Sequence, residues 1–360
     1  MAISSDSHVL VLFCGDPAYD SRTTKYIRAF GQIQVAIRNG ISWSVHSHGR
    51  FLSNWIHWSV QTLRQVKDQP PAVLVVMDIF SVPVALLSGL PFFFDCREIN
   101  AGVHAFRRSP FKRWFWGLME KLAFRKSIGI TTVNHALADH FCRIYSRDTH
   151  ILLNLPLHTT ISGLSGRQMA GLPDQAWVWV YQGAILPGRG IETLIAWIQT
   201  RPTDEWLLLI GPAPASLIQQ TPQNKIRFTG PLPQERLLEY TSLGNAGLML
   251  IDPSATSYRL SLPNKFFEYL FAGLPVISSR LPVVETILNQ YQCGLIAETG
   301  ADLNLAADQL RKTPDTFIMG TRRACQSFRP EEAVSDLSGW ITRQLTLSGL
   351  SDILPENNRI

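Results

Sequence analysis

The chain has 360 residues, more than the roughly 250 to 300 residues at which a single hydrophobic core stops growing, so we expect two domains. Hydrophobic residues make up 46% of the chain and charged residues only 17%, a composition that excludes global disorder. The formal net charge of +5 suits an anionic ligand or an acidic membrane surface, and no basic block resembles a nucleic-acid-binding arm.

The cysteines and the N-terminus favour a protein of the reducing cytoplasm. The five cysteines are scattered and lack the spacing of metal ligands, so we expect free thiols and no metal site. The first residues, MAISSDSHVLVLF, have no basic region before the apolar run, which argues against a signal peptide.

The segment 72–95 is apolar and long enough to cross a membrane. Asp78, Pro83 and the sequence SGLP interrupt it, and the pieces on either side are rich in β-branched and aromatic residues. Buried parallel strands also have continuous apolar sequences. We therefore predict two strands that flank a short helix, and no membrane span.

Strand-like and helix-like stretches alternate along the chain. The first half contains the strand-like runs HVLVLF, AVLVVMD, PFFFD, GITTVN and THILLN, with helical stretches such as SRTTKYIRAFGQ and HALADHFCRIY between them. After a polar passage the pattern restarts with WVWVYQG, WLLLIG, KIRFTG, AGLMLI and LPVISS. This alternation predicts an α/β fold of two Rossmann-like domains, each a doubly wound parallel sheet covered by helices.

The predicted domains cover residues 1–160 and 161–328. Residues 329–348 carry an apolar stripe at helical spacing and predict a C-terminal helix that could pack across both domains. We expect the tail, 349–360, to be frayed.

Ligands of open parallel sheets bind beyond the carboxyl ends of the strands, so the loops at these ends are candidate sites. In CGDPAYDSRTTKY, Gly15 allows close approach of a ligand, and Asp20 and Ser21 can cap a helix whose N-terminus binds an anion. An ordinary capped turn is the alternative.

The loop YQGAILPGRGIETLI contains Gly183, Gly188 and Gly190, and Arg189 stands just before a helix that begins near Ile191. A guanidinium and the N–H groups of a helix start would then converge on a diphosphate. A glycine-rich loop with a surface arginine is the alternative.

In SLPNKFFEYLFAGLPVI, Pro263 suits the first turn of a helix, and Lys265 and Glu268 lie on one face of it. Phe266, Phe267, Leu270 and Phe271 are predicted to pack inward. The pair is either an exposed ion pair or a cation for phosphate beside a carboxylate for ribose hydroxyls.

Asp95, Arg97 and Glu98 follow the apolar strand of FFFDCREIN, where a charge is costly unless it is paired or functional. They are either an acceptor-side site or a salt-bridged loop.

Taken in chain order, GDPAYDSR, FFFDCRE, TTVN, LLNLP, YQGAILPGRGIETL, KIRFTGPLP and SLPNKFFEYLFAGLPVISS resemble the retaining GT-B glycosyltransferases of family 4 (glycosyl transferases group 1), of the bacterial cell-surface polysaccharide type. PNKFFEYLFAGLPVI is the most specific segment. The resemblance implies a GT-B fold, two Rossmann-like domains that face a central cleft, with the nucleotide-sugar donor in the second domain and the acceptor in the first.

The resemblance also implies roles for single residues. Arg189 and Lys265 would be catalytic, because they would stabilise charge on the leaving diphosphate in place of a metal. Asp95, Arg97 and Glu98 would lie on the acceptor side. The donor-binding residues would be Gly15, Gly183, Gly188, Gly190, Gly230, Pro263, Asn264 and Glu268, with Glu268 on the ribose and Gly230 near the nucleobase.

The sequence departs from the family pattern at three places. Leu260 stands where the family commonly has a first glutamate, and Arg97 stands where it has an acceptor-side histidine. The second basic residue of the phosphate loop would fall near the neutral Ala184, and Arg259 or Lys265 could replace it. The implied function is transfer of a sugar, with retention, to a glycan or lipid-linked acceptor, without a cofactor or metal. The alternatives are a non-catalytic GT-B subunit and a nucleotide-sugar epimerase or hydrolase.

In RRSPFKRWFWGLMEKLAFRKS, Ser109 can cap and Pro110 can open a helix with an apolar stripe of Phe111, Trp114, Phe115, Leu118, Met119 and Leu122. Basic residues flank this stripe throughout 107–126. The helix could lie on the anionic inner face of the cytoplasmic membrane with Trp116 exposed as an anchor, or the stripe could be core packing.

Overall fold

A computed structural model describes residues 8–13, 20–39, 51–100, 109–157, 166–186, 190–251 and 259–356 of the chain. The chain divides into two compact units, one of Met1–Leu153 with Glu331–Ile360 and the other of Asn154–Pro330. In the described residues each unit contains one six-stranded sheet in which every strand pair is parallel.

The first unit alternates strands and helices up to residue 151. Its sheet has the order β2-β1-β3-β4-β5-β6, so the chain changes direction across the sheet between β1 and β3. The elements are β1 (His8–Leu12), α1 (Ser21–Gln32), β2 (Ala36–Asn39), α2 (Phe51–Asp68), β3 (Val73–Val76), α3 (Val82–Ser88), β4 (Phe92–Asp95), α4 (Pro110–Lys126), β5 (Gly129–Thr132), α5 (His135–Tyr145) and β6 (His150–Ile151).

The apolar segment 72–95 contains β3, a 3-10 turn, α3 and β4, as predicted. The side chain of Asp78 caps the 3-10 turn by accepting a hydrogen bond from the Ser81 N–H at 2.9 Å. Phe92, Phe93 and Phe94 are buried within β4. In the described part of the chain, no helix is long and apolar enough to span a membrane.

The second unit repeats the pattern. Its sheet has the order β12-β11-β10-β7-β8-β9, and the direction changes between β7 and β10. The elements are β7 (Trp177–Gln182), α6 (Ile191–Thr200), β8 (Glu205–Ile210), α7 (Ala215–Gln220), β9 (Ile226–Gly230), α8 (Gln234–Thr241), β10 (Ala246–Met249), α9 (Asn264–Phe271), β11 (Val276–Ser278), α10 (Pro282–Tyr291), β12 (Gly294–Ile296), α11 (Gly300–Lys312) and α12 (Pro314–Ser327).

These two sheets confirm the predicted α/β fold of doubly wound parallel sheets. Each sheet has a switch point, the place at which the strand order reverses and where ligands of such folds bind. Two strands were not predicted, β2 and β12. Both are short, and Arg38 and Asn39 make β2 more polar than the other strands.

The C-terminal helix α13 (Pro330–Leu347) buries the predicted stripe residues Val334, Leu337, Ile341 and Leu345. Trp340 packs in the first unit with its ring stacked on His150, the ring centroids 4.9 Å apart. The described part of the tail, 349–356, differs from the expected frayed segment, and 357–360 lie outside the described residues. A 3-10 turn forms at Ser351–Ile353, and Ile353 and Leu354 are buried because their apolar side chains gain more from packing than from solvent.

Candidate functional site

Two glycines shape the carboxyl end of the second sheet beside its switch point. Gly183 follows β7 with a φ of 124°, and Gly211 follows β8 with a φ of 137°; both angles lie where side chains are rarely tolerated. A Cβ on Gly211 would lie 2.1 Å from the carbonyl oxygen of Gly183. The ends of β7 and β8 therefore approach each other in a way that only glycine allows, and Gly211 was not among the predicted site residues.

Two other predicted donor residues lie at the ends of α6 and β9 in the same unit. Gly190 is the N-cap of α6 with a φ of 76°, and α6 begins at Ile191 as predicted. Gly230 closes β9 with a φ of 72°. The predicted residues Gly15, Gly188 and Arg189 lie outside the described residues.

Helix α9 begins at Asn264, and Pro263 precedes it as the N-cap residue. Phe266, Phe267 and Leu270 are buried as predicted, whereas Phe271 is only half-buried. The Nζ of Lys265 lies 4.0 Å from the centroid of the Tyr181 ring. A Cβ on Gly183 would lie 3.5 Å from the same Nζ, so the ammonium lies against the backbone that follows β7.

Glu268 lies one turn further along α9 and accepts a hydrogen bond from the side-chain amide of Gln182, the last residue of β7. The Oε1 of Gln182 accepts a hydrogen bond from Thr241 on α8 at 2.7 Å. The predicted pair, Lys265 and Glu268, is thus brought to the end of β7. Gln182 and Thr241 were not among the predicted site residues, although a glutamine at the end of an otherwise apolar strand was a visible signal.

Tyr269 joins the same elements from inside the unit. Its hydroxyl accepts a hydrogen bond from the backbone N–H of Gln182 at 2.9 Å and donates one to the carbonyl oxygen of Leu248 at 3.1 Å. Burial raises the pKa of Tyr269 well above its ordinary value, so the phenol stays protonated. Tyr269 therefore ties α9 to β7 and β10, the two strands of the switch point.

In the first unit, Asp95 is buried at the end of β4 with 1% of its surface exposed. Its carboxylate accepts hydrogen bonds from Arg22, from the Nε of Arg97 at 2.8 Å and from Thr131 at 2.6 Å. Burial alone would raise the pKa of Asp95, but Arg22 and Arg97 hold it below its ordinary value. This environment does not fit a direct acceptor contact by Asp95.

Arg97 uses all three of its nitrogens on carboxylates. Besides Asp95, it donates from Nη1 and Nη2 to Asp20 at 2.8 and 2.7 Å. Asp20 also caps α1, as predicted, by accepting from the Thr23 N–H at 3.0 Å. Burial alone would raise the pKa of Asp20, yet the charge and hydrogen bonds of Arg97 bring it to about 2. The salt-bridged loop is the arrangement found, and of the three predicted acceptor-side residues Glu98 is the exposed one.

Lys25 is buried and was not among the predicted site residues. Its Nζ donates to the carbonyl oxygen of Leu153 at 2.9 Å. Burial, followed by the positive charge of Arg22, lowers the pKa of Lys25 to about 7, while Asp20 and Asp95 act in the opposite direction and Arg97 adds to the lowering.

This depressed pKa predicts that folding stability rises with pH through Lys25. Between about pH 7 and pH 10.5 the unfolded lysine binds more protons than the folded one, so the contribution of Lys25 to the free energy of unfolding should rise by up to about 1.4 kcal/mol per pH unit. Lys25→Met should lack this rise, whereas the exposed Lys112→Met should retain it. Denaturant unfolding at several pH values measures the slope, and equal slopes in wild type and Lys25→Met would contradict the assignment.

Helix α4 starts at Pro110 with Ser109 as its N-cap, as predicted. The prediction for Trp116 is wrong. This side chain is only 6% exposed and packs edge-to-face on Trp55 and Phe80, with ring centroids 5.7 and 4.9 Å away. The exposed aromatic residues are instead Phe111 and Trp114, at 70% and 63%. The exposed basic residues of α4 are Lys112, Arg113, Lys121, Arg125 and Lys126.

No protein-family model matches the sequence, and a search of curated proteins finds no match. Solved structures do resemble the chain. Sucrose-phosphate synthase from Thermosynechococcus elongatus is 16% identical with a TM-score of 0.75, and the match covers 95% of this chain and 100% of that one. HepE from Anabaena, solved with UDP-glucose, is 12% identical with a TM-score of 0.70 and coverage of 94% and 99%. WaaG, a glycosyltransferase of lipopolysaccharide biosynthesis, is 14% identical with a TM-score of 0.69 and coverage of 93% and 99%. These structures are GT-B glycosyltransferases, and the likeness establishes that this chain has the GT-B fold.

Proposed function

We propose that the chain is a retaining glycosyltransferase that transfers a sugar from a nucleotide diphosphate sugar to a glycan or lipid-linked acceptor. The observation that carries the proposal is the convergence of the Gly183 backbone, Lys265 and Glu268 beside the switch point of the second sheet. The Anabaena HepE structures with UDP and UDP-glucose support a nucleotide-sugar donor.

The chemistry requires stabilisation of the charge that grows on the leaving diphosphate. Lys265 supplies one cation beside the Gly183 backbone, and we propose Arg189 as the second. With two cations in this role, the proposed reaction needs no metal, and chelation with EDTA should leave it unchanged. The carboxylate of Glu268 accepts hydrogen bonds from the ribose hydroxyls. Asp95 is not the base in this proposal, because it is buried between two arginines.

Thermal unfolding with UDP, GDP, ADP and their sugar conjugates tests the donor site. A ligand at 100 times its dissociation constant should stabilise the protein by about 2.7 kcal/mol. The shift should disappear in Lys265→Ala and Glu268→Ala and persist in Lys312→Ala and Glu235→Ala, which change exposed residues of the same unit. Equal shifts in all four variants would argue against this site, and no shift in wild type would argue against the function.

A second candidate is a nucleotide-sugar epimerase or hydrolase that uses the same donor site without an acceptor. The enclosure of Asp95 and Arg97 in their own ion pairs favours it. Incubation of the protein with nucleotide sugars alone separates the two functions. If free sugar or an epimer forms without an acceptor as fast as the protein consumes the nucleotide sugar, the epimerase or hydrolase replaces the transferase proposal.

We also propose that α4 contacts the anionic inner face of the cytoplasmic membrane. The exposed Phe111 and Trp114 stand beside five exposed basic residues of the same helix, a combination that suits an anionic lipid surface. This contact would suit a lipid-linked acceptor.

Vesicle co-sedimentation measures this contact. The protein should bind vesicles of phosphatidylcholine with phosphatidylglycerol, and binding should weaken in high salt and in the double variant Phe111→Ser, Trp114→Ser. Leu305→Ser, a change of an apolar residue 70% exposed in the second unit, is the matched control. Equal binding to phosphatidylcholine alone would contradict an anionic preference.

A further inference from the structure

Gln182 is a buried amide at the end of an apolar strand, and its surroundings use both of its polar groups. The residue is 4% exposed. A buried amide is costly unless it is hydrogen-bonded. Its Nε2 donates to Glu268 and its Oε1 accepts from Thr241 at 2.7 Å. One side chain therefore links α8 and α9 through the last residue of β7.

The hydrogen bonds around Gln182 have only one consistent direction. An ionised carboxylate can only accept, so the amide NH₂ must face Glu268 and the amide oxygen must face Thr241. The Thr241 hydroxyl has one proton and two acceptors at 2.7 Å, the Gln182 Oε1 and the Leu237 carbonyl oxygen. Because the amide oxygen cannot donate, its contact with the Thr241 hydroxyl is attractive only when Thr241 turns its proton toward Gln182. In that orientation the donation runs from Thr241 through Gln182 and ends on Glu268.

The backbone holds the same arrangement in place. The N–H of Gln182 donates to the Tyr269 hydroxyl at 2.9 Å, and Tyr269 neighbours Glu268 on α9. The backbone of Gln182 is thus bonded to Tyr269, and its side chain is bonded to the preceding residue of α9, Glu268. A rotation of the Glu268 carboxylate would break the bond to Gln182 while the Tyr269 bond stays in place.

We infer that Gln182 and Thr241 are positioning residues that set the orientation of the Glu268 carboxylate toward the ribose hydroxyls of the donor. This inference rests on the proposed function and deepens it. It assigns the preference for a ribose with both hydroxyls to three residues, of which only Glu268 would touch the ligand.

Binding of ribose and dideoxyribose nucleotides separates positioning from a general structural role. The probes are UDP, GDP and ADP, each compared by calorimetry with its 2′,3′-dideoxy analogue. Wild type should prefer the ribose form of its nucleotide by about tenfold or more, as expected for hydrogen bonds to a charged group. Gln182→Met and Thr241→Val should lose most of this preference and bind the dideoxy form as wild type does. Thr241→Ser should retain the preference, because it keeps the hydroxyl.

Two other outcomes overturn the positioning role alone, and a third overturns the proposed function as well. If Glu268→Gln loses the ribose preference while Gln182→Met keeps it, the positioning role is overturned and the proposed function stands. If Gln182→Met weakens both forms equally, Gln182 acts only on the fold of the site and the inference is again overturned. If wild type binds none of the three nucleotides, the inference and the proposed function fail together.

Discussion

Asp95→Ala is expected to destabilise the first unit by about 3 to 5 kcal/mol, because it removes one member of a buried ion pair and leaves its partner behind. The partner is Arg22, whose side chain is 1% exposed and whose Nε and Nη2 both donate to Asp95. Arg97 loses the acceptor of its Nε in the same variant. Thr131 loses an acceptor as well.

Because the chain has two units, the loss of stability should be measured in the first unit by itself. Hydrogen exchange of peptides from β4 and β5 follows the first unit separately from the second. Asp139→Ala, on α5 of the same unit, is the matched control, because Asp139 is exposed and its loss should leave exchange unchanged. If Asp95→Ala exchanged like wild type yet lost transfer activity, Asp95 would have to be an acceptor-side residue after all.

Gly211→Ala is expected to destabilise the second unit by about 3 kcal/mol and to abolish nucleotide binding. The new Cβ would lie 2.1 Å from the Gly183 carbonyl oxygen, so the backbone at the end of β7 must move. The φ of 137° at Gly211 is unfavourable for alanine in addition. Because Gly183 lies against Lys265, the displaced backbone would disturb the place where we propose the diphosphate binds.

Gly273→Ala is the matched control for this clash. Gly273 has a φ of 81° and nothing within 4 Å of an added Cβ, so alanine there carries only the conformational cost, about 1 to 2 kcal/mol. Denaturant unfolding and nucleotide titration of both variants make the comparison. If the two variants lost equal stability and both bound nucleotide, steric contact at Gly183 would not explain the Gly211 result.

The helices whose starts were predicted correctly have local signals. Asp20 caps α1, Ser109 caps α4 and Pro263 precedes α9. Each of these residues stands directly before the helix that it starts. The error at Trp116 shows the limit of such signals. Both faces of α4 carry apolar side chains, so periodicity alone could not show that the face of Trp116 packs on Trp55 and Phe80.

The residues of the candidate site also fall into two groups, those that the local sequence predicts and those that it does not. Gly183, Lys265 and Glu268 could be predicted because each stands at a strand end or on the first turns of a helix. Gln182 and Thr241 could not be connected to Glu268, because they lie 86 and 59 positions from their partners along the chain.

The sequence by itself determined the alternation of strands and helices, the starts of helices such as α1, α4 and α9, and the α/β class, because these depend on residues close together in the chain. The tertiary structure alone decided which charges meet. Arg22 and Asp95 are 73 positions apart and pair because the start of α1 and the end of β4 lie close together. Gln182 reaches Glu268 because the order of the second sheet places the end of β7 beside α9. Strand order depends on how the whole chain packs, so the contacts of Asp95, Arg97 and Gln182 could only be seen in the folded protein.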